Sequence, residues 1–306
     1  MKRKQVMNIL SKDVRRMLEK AQWTFDDLQE IRLRIGHPVL IYVKGKEIIG
    51  DLIATEQIVK ETLDYVSDYS LYAYENEMRQ GFITVEGGHR VGVVGQVILE
   101  QGHVKNIKQV GALNIRISHE ILNCADALFP HLTRQKKLYH TMIISPPRSG
   151  KTTILRDLIR QISNGNSWID GSTVGVVDER SELAGCYRGV PQNQIGMRTD
   201  VLDACPKAEG MMMLVRSMSP EVLAVDEVGA MDDVQAIQYA MHCGCKMLAT
   251  VHGESIEEIQ KKPLFLELMK EQCFERYVLL HNKERVGQIK AIYDQKCQSI
   301  YGELAW

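Results

Sequence analysis

The stretch "SPPRSGKTT", residues 145–153, decides how the second half of the chain is interpreted. It follows the apolar run "LYHTMII" and opens the amphipathic run "KTTILRDLIRQIS", so the pattern predicts a strand, a loop and a helix in that order. A loop of this kind binds phosphate, because its backbone N–H groups and the helix dipole favour negative charge. Gly150, Lys151 and Thr152 fit the fingerprint G-x-x-x-x-G-K-[ST], in which the lysine contacts phosphates and the hydroxyl contacts Mg²⁺.

Ser145 departs from that fingerprint, because it stands in the place of the first glycine. The two prolines that follow fix φ and hold Ser145 extended, so rigidity replaces the permissive backbone of glycine. A chance G-K-T at a helix start is the alternative, and a scaffold that binds nucleotide without hydrolysing it is favoured if Ser145 spoils the loop. The predicted nucleotide-binding residues are Ser145, Pro146, Pro147, Arg148, Ser149, Gly150, Lys151, Thr152 and Thr153.

Two further apolar strands end in acidic residues. "VLAVDEVG" places Asp226 where it would orient Mg²⁺, and Glu227 where it would polarise the attacking water. "VVDERSELAG" places Asp178, Glu179 and Glu182 at the carboxyl end of another strand, where parallel sheets bind ligands. An acidic helix cap and a solvated loop are the respective alternatives.

A fourth block, "LATVHGES", ends an apolar strand in a histidine. Thr250 or His252 is placed there to sense the γ-phosphate, if the strand joins the same sheet. A purely structural histidine at a strand end is the alternative.

The organisation of the chain predicts the α/β class with two domains. Residues 1–130 form a mixed α/β domain: one helix over residues 6–21, glycine-punctuated strands, and a helix that begins near Thr55. Residues 131–306 alternate apolar strands with helices, which is typical of a mostly parallel sheet covered by helices on both faces. That second domain is the predicted P-loop ATPase domain.

Composition narrows the function classes. Lys and Arg total 38 against 39 acids, and aromatic residues make up 6%, which argues against a nucleic-acid translocase or recombinase. The seven cysteines are scattered without the spacing of a zinc site, as expected in a reducing cytosol. The sequence has no run of about 18 apolar residues, so it predicts no membrane span.

In this order the blocks resemble those of the type II/type IV secretion ATPase family, hexameric motors on a RecA-like core. "DERSE" is similar to the family's acidic box, "LVRSMSPEVLAVDEVG" to its second acidic strand and "LATVHGES" to its histidine box. "EIRLRIGHPVLI" and "LNIRISHE" match its strand entry and its arginine-bearing linker. "IISPPRSGKTT" and "VVDERSELAG" narrow the resemblance to a sporulation branch, the cytoplasmic ATPases of a channel between mother cell and forespore.

The resemblance implies a RecA-like ATP hydrolase that takes ATP and Mg²⁺ and forms a homohexamer with nucleotide at subunit interfaces. It also implies membrane proteins of a sporulation channel or secretion-like complex as partners, and a cytoplasmic location against that complex; the charge balance and the low aromatic content argue against a nucleic-acid partner. Thr152 and Asp226 would handle Mg²⁺, and arginines of the first domain would complete a neighbouring site; an exposed strand face is the alternative for each arginine. The residues with implied catalytic roles are Glu227, Asp178, Glu179, Glu182, His252, Arg90 and Arg116.

Overall fold

The computed structural model describes residues 2–21, 23–147, 149–281 and 287–302. The chain divides into two compact units. Unit 1 is Met1–His119 with Gly185–Gln192, and unit 2 is Glu120–Ala184 with Asn193–Trp306. The predicted division after residue 130 therefore falls inside unit 2.

Unit 1 is a six-stranded antiparallel sheet with four helices. The strand order is β3-β2-β1-β6-β5-β4, and β1 pairs with β2 on one side and β6 on the other. Two short 3-10 turns complete it, Phe25–Asp27 and Leu71–Tyr74. The helices and strands are α1 (Lys2–Asn8), α2 (Lys12–Glu19), β1 (Leu28–Arg34), β2 (Pro38–Val43), β3 (Lys46–Ile53), α3 (Glu56–Val66), α4 (Glu75–Gln80), β4 (Phe82–Val85), β5 (His89–Glu100) and β6 (His103–Arg116).

The alternation of the sequence places one face of this sheet in the core of unit 1. Ile31 and Leu33 of β1 are fully buried, and Ile115 of β6, opposite Ile31, is buried with them. Because side chains alternate along a strand, Arg32 and Arg116 lie on the other face. The sheet thus presents arginines on the face opposite its core.

The predicted single helix over residues 6–21 is wrong, because two helices occupy that region. Ser11 separates α1 from α2 with an extended backbone, φ −60° and ψ 157°. Its N–H donates to the Thr62 hydroxyl at 3.2 Å, a bond that a continuous helix would not leave available. The predicted helix start at Thr55 is confirmed, since the Thr55 hydroxyl accepts from the Ile58 N–H at 3.3 Å and caps α3.

Over its described residues, unit 2 consists of an eight-stranded sheet with six helices and a small two-stranded hairpin. Two 3-10 turns, Asp126–Leu128 and Pro263–Phe265, lie between these elements. The helices and strands are α5 (Phe129–Leu132), β7 (Thr133–Arg134), β8 (Lys137–Leu138), β9 (Thr141–Ser145), α6 (Lys151–Asn164), β10 (Val174–Asp178), β11 (Thr199–Asp203), α7 (Lys207–Ser217), β12 (Val222–Val225), α8 (Met231–His242), β13 (Lys246–His252), α9 (Ile256–Lys261), α10 (Leu266–Lys270), β14 (Arg276–Leu280), β15 (Ile289–Asp294) and β16 (Ser299–Gly302).

The large sheet runs in the order β11-β10-β12-β13-β9-β14-β15-β16, parallel through β14 and antiparallel at β15 and β16. Every residue of β9, β10 and β12 is buried, as expected of strands covered on both faces. The predicted α/β class with a mostly parallel sheet is confirmed. Because parallel strands end at the same edge, the residues after β9, β10, β12 and β13 meet there.

Several elements of unit 2 are absent from the sequence prediction, and two of them lie close to the acidic strands. β11 and α7 occupy the region between the two acidic strands. α7 begins at Lys207 after Pro206, and its buried face includes Met211 and Leu214, which pack in one hydrophobic cluster with Val177 of β10. Across the part of the chain that the structure describes, every helix is too short or too polar to span a lipid bilayer.

Candidate functional site: a phosphate-binding loop beside two carboxylates

The loop between β9 and α6 has the backbone that a phosphate-binding loop requires. Gly150 caps α6 with φ +87° and ψ 19°, a left-handed conformation that favours glycine, and Lys151 is the first helical residue. Ser145 is the last residue of β9 and is fully buried, so its backbone is that of a strand. Its hydroxyl donates to the Pro146 carbonyl at 2.7 Å. The serine therefore occupies a position where glycine's freedom is not needed.

A cavity of about 520 Å³ opens at this helix start. Ser149 lies in the same loop, is 4% exposed, and its hydroxyl oxygen has no hydrogen-bond partner among the described residues. Arg148, the remaining predicted contact of the loop, lies outside the described residues. The cavity is lined by Pro147, Gly150, Lys151, Thr152, Thr153, Arg180, Glu182, Glu227 and His252.

Asp226 follows β12 and faces the loop across the edge of the sheet. The Thr152 hydroxyl donates to Asp226 Oδ2 at 2.6 Å, and Lys151 Nζ lies 3.9 Å from Asp226 Oδ1. A hydroxyl and a carboxylate form the oxygen donor set that Mg²⁺ prefers, with water completing its coordination. The two residues predicted to handle Mg²⁺ therefore lie together in a fitting arrangement.

Glu227 contacts a lysine, an arginine and a histidine side chain. Its carboxylate is hydrogen-bonded to Lys151, lies 2.7 Å from Arg180 Nη1, and lies 3.1 Å from His252 Nε2. Partial burial opposes ionisation of Glu227, but the hydrogen bond and charge of Lys151, with the charges of Arg180 and His252, outweigh it and lower the pKa of the carboxyl. Glu227 is thus an ionised group that contacts Lys151, the lysine predicted to bind phosphate.

Asp178, which was predicted among the catalytic acids, has both carboxylate oxygens engaged by the backbone. Oδ1 accepts from the Glu182 N–H at 2.8 Å, and Oδ2 accepts from the N–H groups of Leu183 and Ala184 at 3.0 and 2.8 Å. Burial raises the pKa of this carboxyl, and the three N–H donors offset that effect in part. Since Asp178 is 3% exposed, the arrangement suits a group that holds the following loop.

The other two acids of that loop also line cavities. Glu182 lines the cavity at the start of α6, and its carbonyl accepts from Arg156 Nη2 at 2.5 Å. Glu179 forms an ion pair with Lys207 of α7, and both line a smaller cavity beside Asp226. The Lys207 side chain is 12% exposed, and its ammonium places a positive charge of α7 beside Glu179.

Sequence reasoning missed Lys207 and Arg156. Lys207 lies in a helix that the pattern did not predict, so nothing marked it as close to Glu179. Arg156 is on α6 and ties that helix to the loop after β10, with Nε donating to the Leu183 carbonyl at 2.7 Å. Its position five residues after Lys151 is the one signal available in the sequence.

Arg90 and Arg116 lie in unit 1, and their side chains have different surroundings. They are paired across β5 and β6, on the face of the sheet opposite the core. The Arg90 guanidinium lies 3.5 Å from the centroid of the Phe82 ring, a cation–π contact. Arg116 is exposed and lines a cavity of about 320 Å³ with Arg32, Arg34 and Asn114.

The geometry can be compared with known proteins. The model of the family "Sporulation stage III, protein AA" matches residues 1–300. The chain belongs to this family. A relative in Bacillus subtilis (strain 168), named stage III sporulation protein AA, is 44% identical over 278 residues, covering 91% of this chain and 90% of the relative. The Arabidopsis thaliana protein SEEDLING PLASTID DEVELOPMENT 1 is 24% identical; the match covers 84% of this chain and 34% of the plant protein.

Two solved structures, of an ATPase and of a pilus retraction motor, resemble this family member at the level of the fold. The Yersinia pseudotuberculosis ATPase DotB aligns with a TM-score of 0.61 at 14% identity, covering 94% of this chain and 80% of DotB. The pilus retraction motor PilT, solved with bound ADP, aligns with a TM-score of 0.55 at 13% identity, covering 92% of this chain and 80% of PilT. The predicted resemblance is confirmed: the family is that of the sporulation branch, and the fold is that of the RecA-like secretion ATPases.

Proposed function

We propose that the chain is a motor ATPase that hydrolyses ATP to drive assembly of, or transport through, a membrane channel during sporulation. One observation carries the proposal. A helix-start lysine and hydroxyl, Lys151 and Thr152, meet the carboxylates of Asp226 and Glu227 at one edge of a parallel sheet. The names of two proteins of like fold, the ATPase DotB and the pilus retraction motor PilT, and of the Bacillus subtilis relative support the assignment.

In this proposal each side chain has a task set by its position. Lys151 contacts the phosphates together with the N–H groups of the loop, and Thr152 and Asp226 hold Mg²⁺. Mg²⁺, when bound, neutralises charge that develops on the phosphate oxygens. Glu227 orients and polarises the attacking water, once a phosphate has taken the place of the Glu227 carboxylate at Lys151.

The remaining residues position these groups. Asp178 holds the backbone of residues 182–184, so that Glu182 stays at the cavity. The Lys207 ammonium holds Glu179, and His252 contacts Glu227 where it can respond to the γ-phosphate. Asp178 thus acts on catalysis through the loop rather than on water.

The test is Mg²⁺-dependent phosphate release by the purified chain. We expect ATP hydrolysis in Mg²⁺ and none in EDTA, and we expect Asp226→Asn to reduce it at least 100-fold, because an amide binds Mg²⁺ poorly. The matched control is Asp170→Asn, an exposed acid 3.8 Å from Lys136. Wild-type protein without activity in Mg²⁺, at concentrations where it assembles, would contradict the proposal and favour a non-hydrolysing scaffold.

We also propose that an arginine of unit 1 acts in a neighbouring copy of a homohexamer. Charge builds on the equatorial phosphate oxygens during hydrolysis, and an arginine supplied in trans is worth about 10³ to 10⁵ in rate in related systems. Arg116 is favoured because it is exposed, whereas the Arg90 guanidinium is stacked on Phe82.

Subunit mixing tests the trans arrangement. Arg116→Ala and Lys151→Ala are each expected to be inactive, and their mixture is expected to recover activity where an intact lysine faces an intact arginine. Arg16→Ala is the control, since Arg16 is exposed on α2 with its side chain 75% accessible. Wild-type turnover of both Arg90→Ala and Arg116→Ala would exclude both arginines.

Location and partners complete the proposal. We place the protein in the cytoplasm against a membrane complex on the mother-cell side of the forespore, with membrane proteins of that channel as partners. Affinity capture from sporulating cells, comparing wild type with Lys151→Ala, would identify the membrane subunit. Recovery of nucleic acid in place of membrane protein would contradict this part.

A further inference from the structure

Thr250 is a polar residue within an apolar strand. The four residues around it in β13, Leu248, Ala249, Val251 and Met247, are all fully buried, and Thr250 itself is 0% exposed. A buried hydroxyl costs free energy unless it is hydrogen-bonded, and valine has the same shape without that cost. The strand therefore carries a hydroxyl for a reason other than packing.

The Thr250 hydroxyl connects the two acidic residues that follow β12. It donates to Asp226 Oδ1, and it accepts from the Glu227 N–H at 2.9 Å. The opposite oxygen of Asp226, Oδ2, accepts from Thr152 at 2.6 Å. One side chain thus contacts the carboxylate predicted to hold Mg²⁺ and the backbone of the residue predicted to polarise water.

The backbone at this point needs such support. Glu227 has φ +58°, in the left-handed region that residues with a Cβ rarely adopt. A conformation of this kind persists only where its surroundings hold it, and such residues cluster at functional sites. The Thr250 carbonyl adds a second bond, accepting from the Val228 N–H at 2.9 Å. Thr250 therefore holds the backbone N–H groups on both sides of the Glu227 Cα, those of Glu227 and Val228.

The same geometry argues against contact of Thr250 with a phosphate. A hydroxyl has a single hydrogen to donate, and that of Thr250 is directed to Asp226. The side chain is also fully buried beneath Asp226 and Glu227 rather than in the cavity lining. Of the two residues predicted to sense the γ-phosphate, only His252 lines the cavity.

We propose that Thr250 is a positioning residue that couples the Mg²⁺-binding carboxylate of Asp226 to the orientation of Glu227. The proposal rests on the proposed ATPase function and adds a residue to it. A shift of the Asp226 carboxylate moves the Thr250 hydroxyl, and this hydroxyl accepts the hydrogen bond from the Glu227 N–H. Metal binding at Asp226 and the orientation of Glu227 therefore depend on each other.

Thr250→Val tests the coupling, because it removes the hydroxyl and keeps the shape. We expect the Mg²⁺ concentration that half-saturates binding of a fluorescent ATP analogue to rise about tenfold. Affinity for the analogue in EDTA is expected to stay within twofold, and kcat is expected to fall about 100-fold. Thr250→Ser keeps the hydroxyl but loses the methyl group that restricts its rotamer, so the Mg²⁺ requirement is expected to rise about threefold.

Thr141→Val is the matched control. Thr141 is also a fully buried strand threonine of unit 2, but its hydroxyl donates to the Tyr139 carbonyl at 2.9 Å, away from the acidic residues. We expect this variant to keep the wild-type Mg²⁺ requirement and kcat within twofold. The free energy of unfolding of this variant also measures how much the loss of one buried threonine hydroxyl destabilises the protein.

The outcomes separate this inference from the proposed function. A wild-type chain that neither binds nor hydrolyses MgATP contradicts the proposed function. A wild-type chain that does both, with an unchanged Mg²⁺ requirement in Thr250→Val, overturns the role of Thr250. If Thr250→Val does not fold, Thr250→Ala decides, since it also lacks the hydroxyl and a Mg²⁺ requirement equal to that of wild type there overturns the coupling.

Discussion

Replacing Glu227 by glutamine should separate nucleotide binding from hydrolysis. Lys151 is 8% exposed at its side chain and is bonded to the Glu227 carboxylate, which is 18% exposed. A phosphate that binds Lys151 competes with this carboxylate for the same ammonium group. A hydrogen bond between charged groups contributes about 1.5 to 3 kcal/mol, more than an exposed ion pair.

The neutral amide of Glu227→Gln holds Lys151 less strongly and no longer repels the phosphates. If half of that contribution is recovered, about 0.75 to 1.5 kcal/mol, ATP binds about fourfold to tenfold more tightly. Hydrolysis is expected to fall by about 10² to 10⁴, the usual contribution of a group that takes or orients a proton. Titration with a fluorescent ATP analogue and a phosphate-release assay measure the two effects on one preparation.

Glu275→Gln is the matched control for this experiment. Glu275 lies 3.0 Å from Lys246, with 29% of its side chain exposed, so it is another lysine–glutamate pair of unit 2. We expect neither affinity nor turnover to change in this variant. Weaker ATP binding by Glu227→Gln, or turnover above a tenth of wild type, would refute the assigned relation between Lys151 and Glu227.

Three further substitutions test the loop, the acidic turn and the pH dependence of the fold. Ser145→Gly should change ATP affinity by no more than a few-fold, since Ser145 is a strand residue; a gain of orders of magnitude on titration would contradict this. Asp178→Asn should lower the free energy of unfolding by about 1 to 3 kcal/mol in urea titrations, because an amide accepts these N–H bonds less well; an unchanged value would refute its positioning role. Burial lowers the pKa of His140 to about 4, so the unfolded chain binds the extra proton between pH 6.5 and 4, and stability falls as pH drops, by about 3 kcal/mol at most. Thermal unfolding at pH 7.5 and 5 should show a smaller loss in His140→Asn than in wild type or in His242→Asn, the exposed control, and equal losses would contradict it.

The sequence predicted the central sheet of unit 2 well because local patterns and burial agree there. The runs ending at Ser145, Asp178 and His252 are short, apolar and bounded by helices or glycines, so a strand was the simplest interpretation of each. Their common parallel direction brings the polar residues after them to one edge. The meeting of Lys151 with Glu227 follows from that topology.

The contributions of β11 and α7 could not be predicted in the same way. Lys207 reaches Glu179 because α7 packs closely on β10, where a Cβ at Gly210 would lie 2.6 Å from Val177 Cγ1. That close packing is a tertiary feature with no periodic signal in the sequence. The bonds of Asp178 to three backbone N–H groups likewise depend on a turn whose Ser181 has φ +52°.

The break in the first helix shows a similar limit. Apolar residues from Val6 to Leu18 keep helical spacing across Ser11, and Ile9 and Leu10 are both buried, so periodicity alone predicts one helix. The bond from the Ser11 N–H to Thr62 joins residues far apart in sequence, and it favours two helices instead. Tertiary hydrogen bonding, rather than local preference, decided that boundary.

Phosphate release by Lys151→Ala, compared with wild type under the same Mg²⁺ and ATP concentrations, tests the central claim most directly. Circular dichroism establishes that the variant is folded, and Lys137→Ala, an exposed lysine of β8, serves as the control. Lys151 begins α6 beside Asp226 and Glu227, and the account predicts that its removal abolishes turnover while Lys137→Ala keeps it. Wild-type turnover in folded Lys151→Ala would contradict the assignment of this loop as the site of ATP hydrolysis.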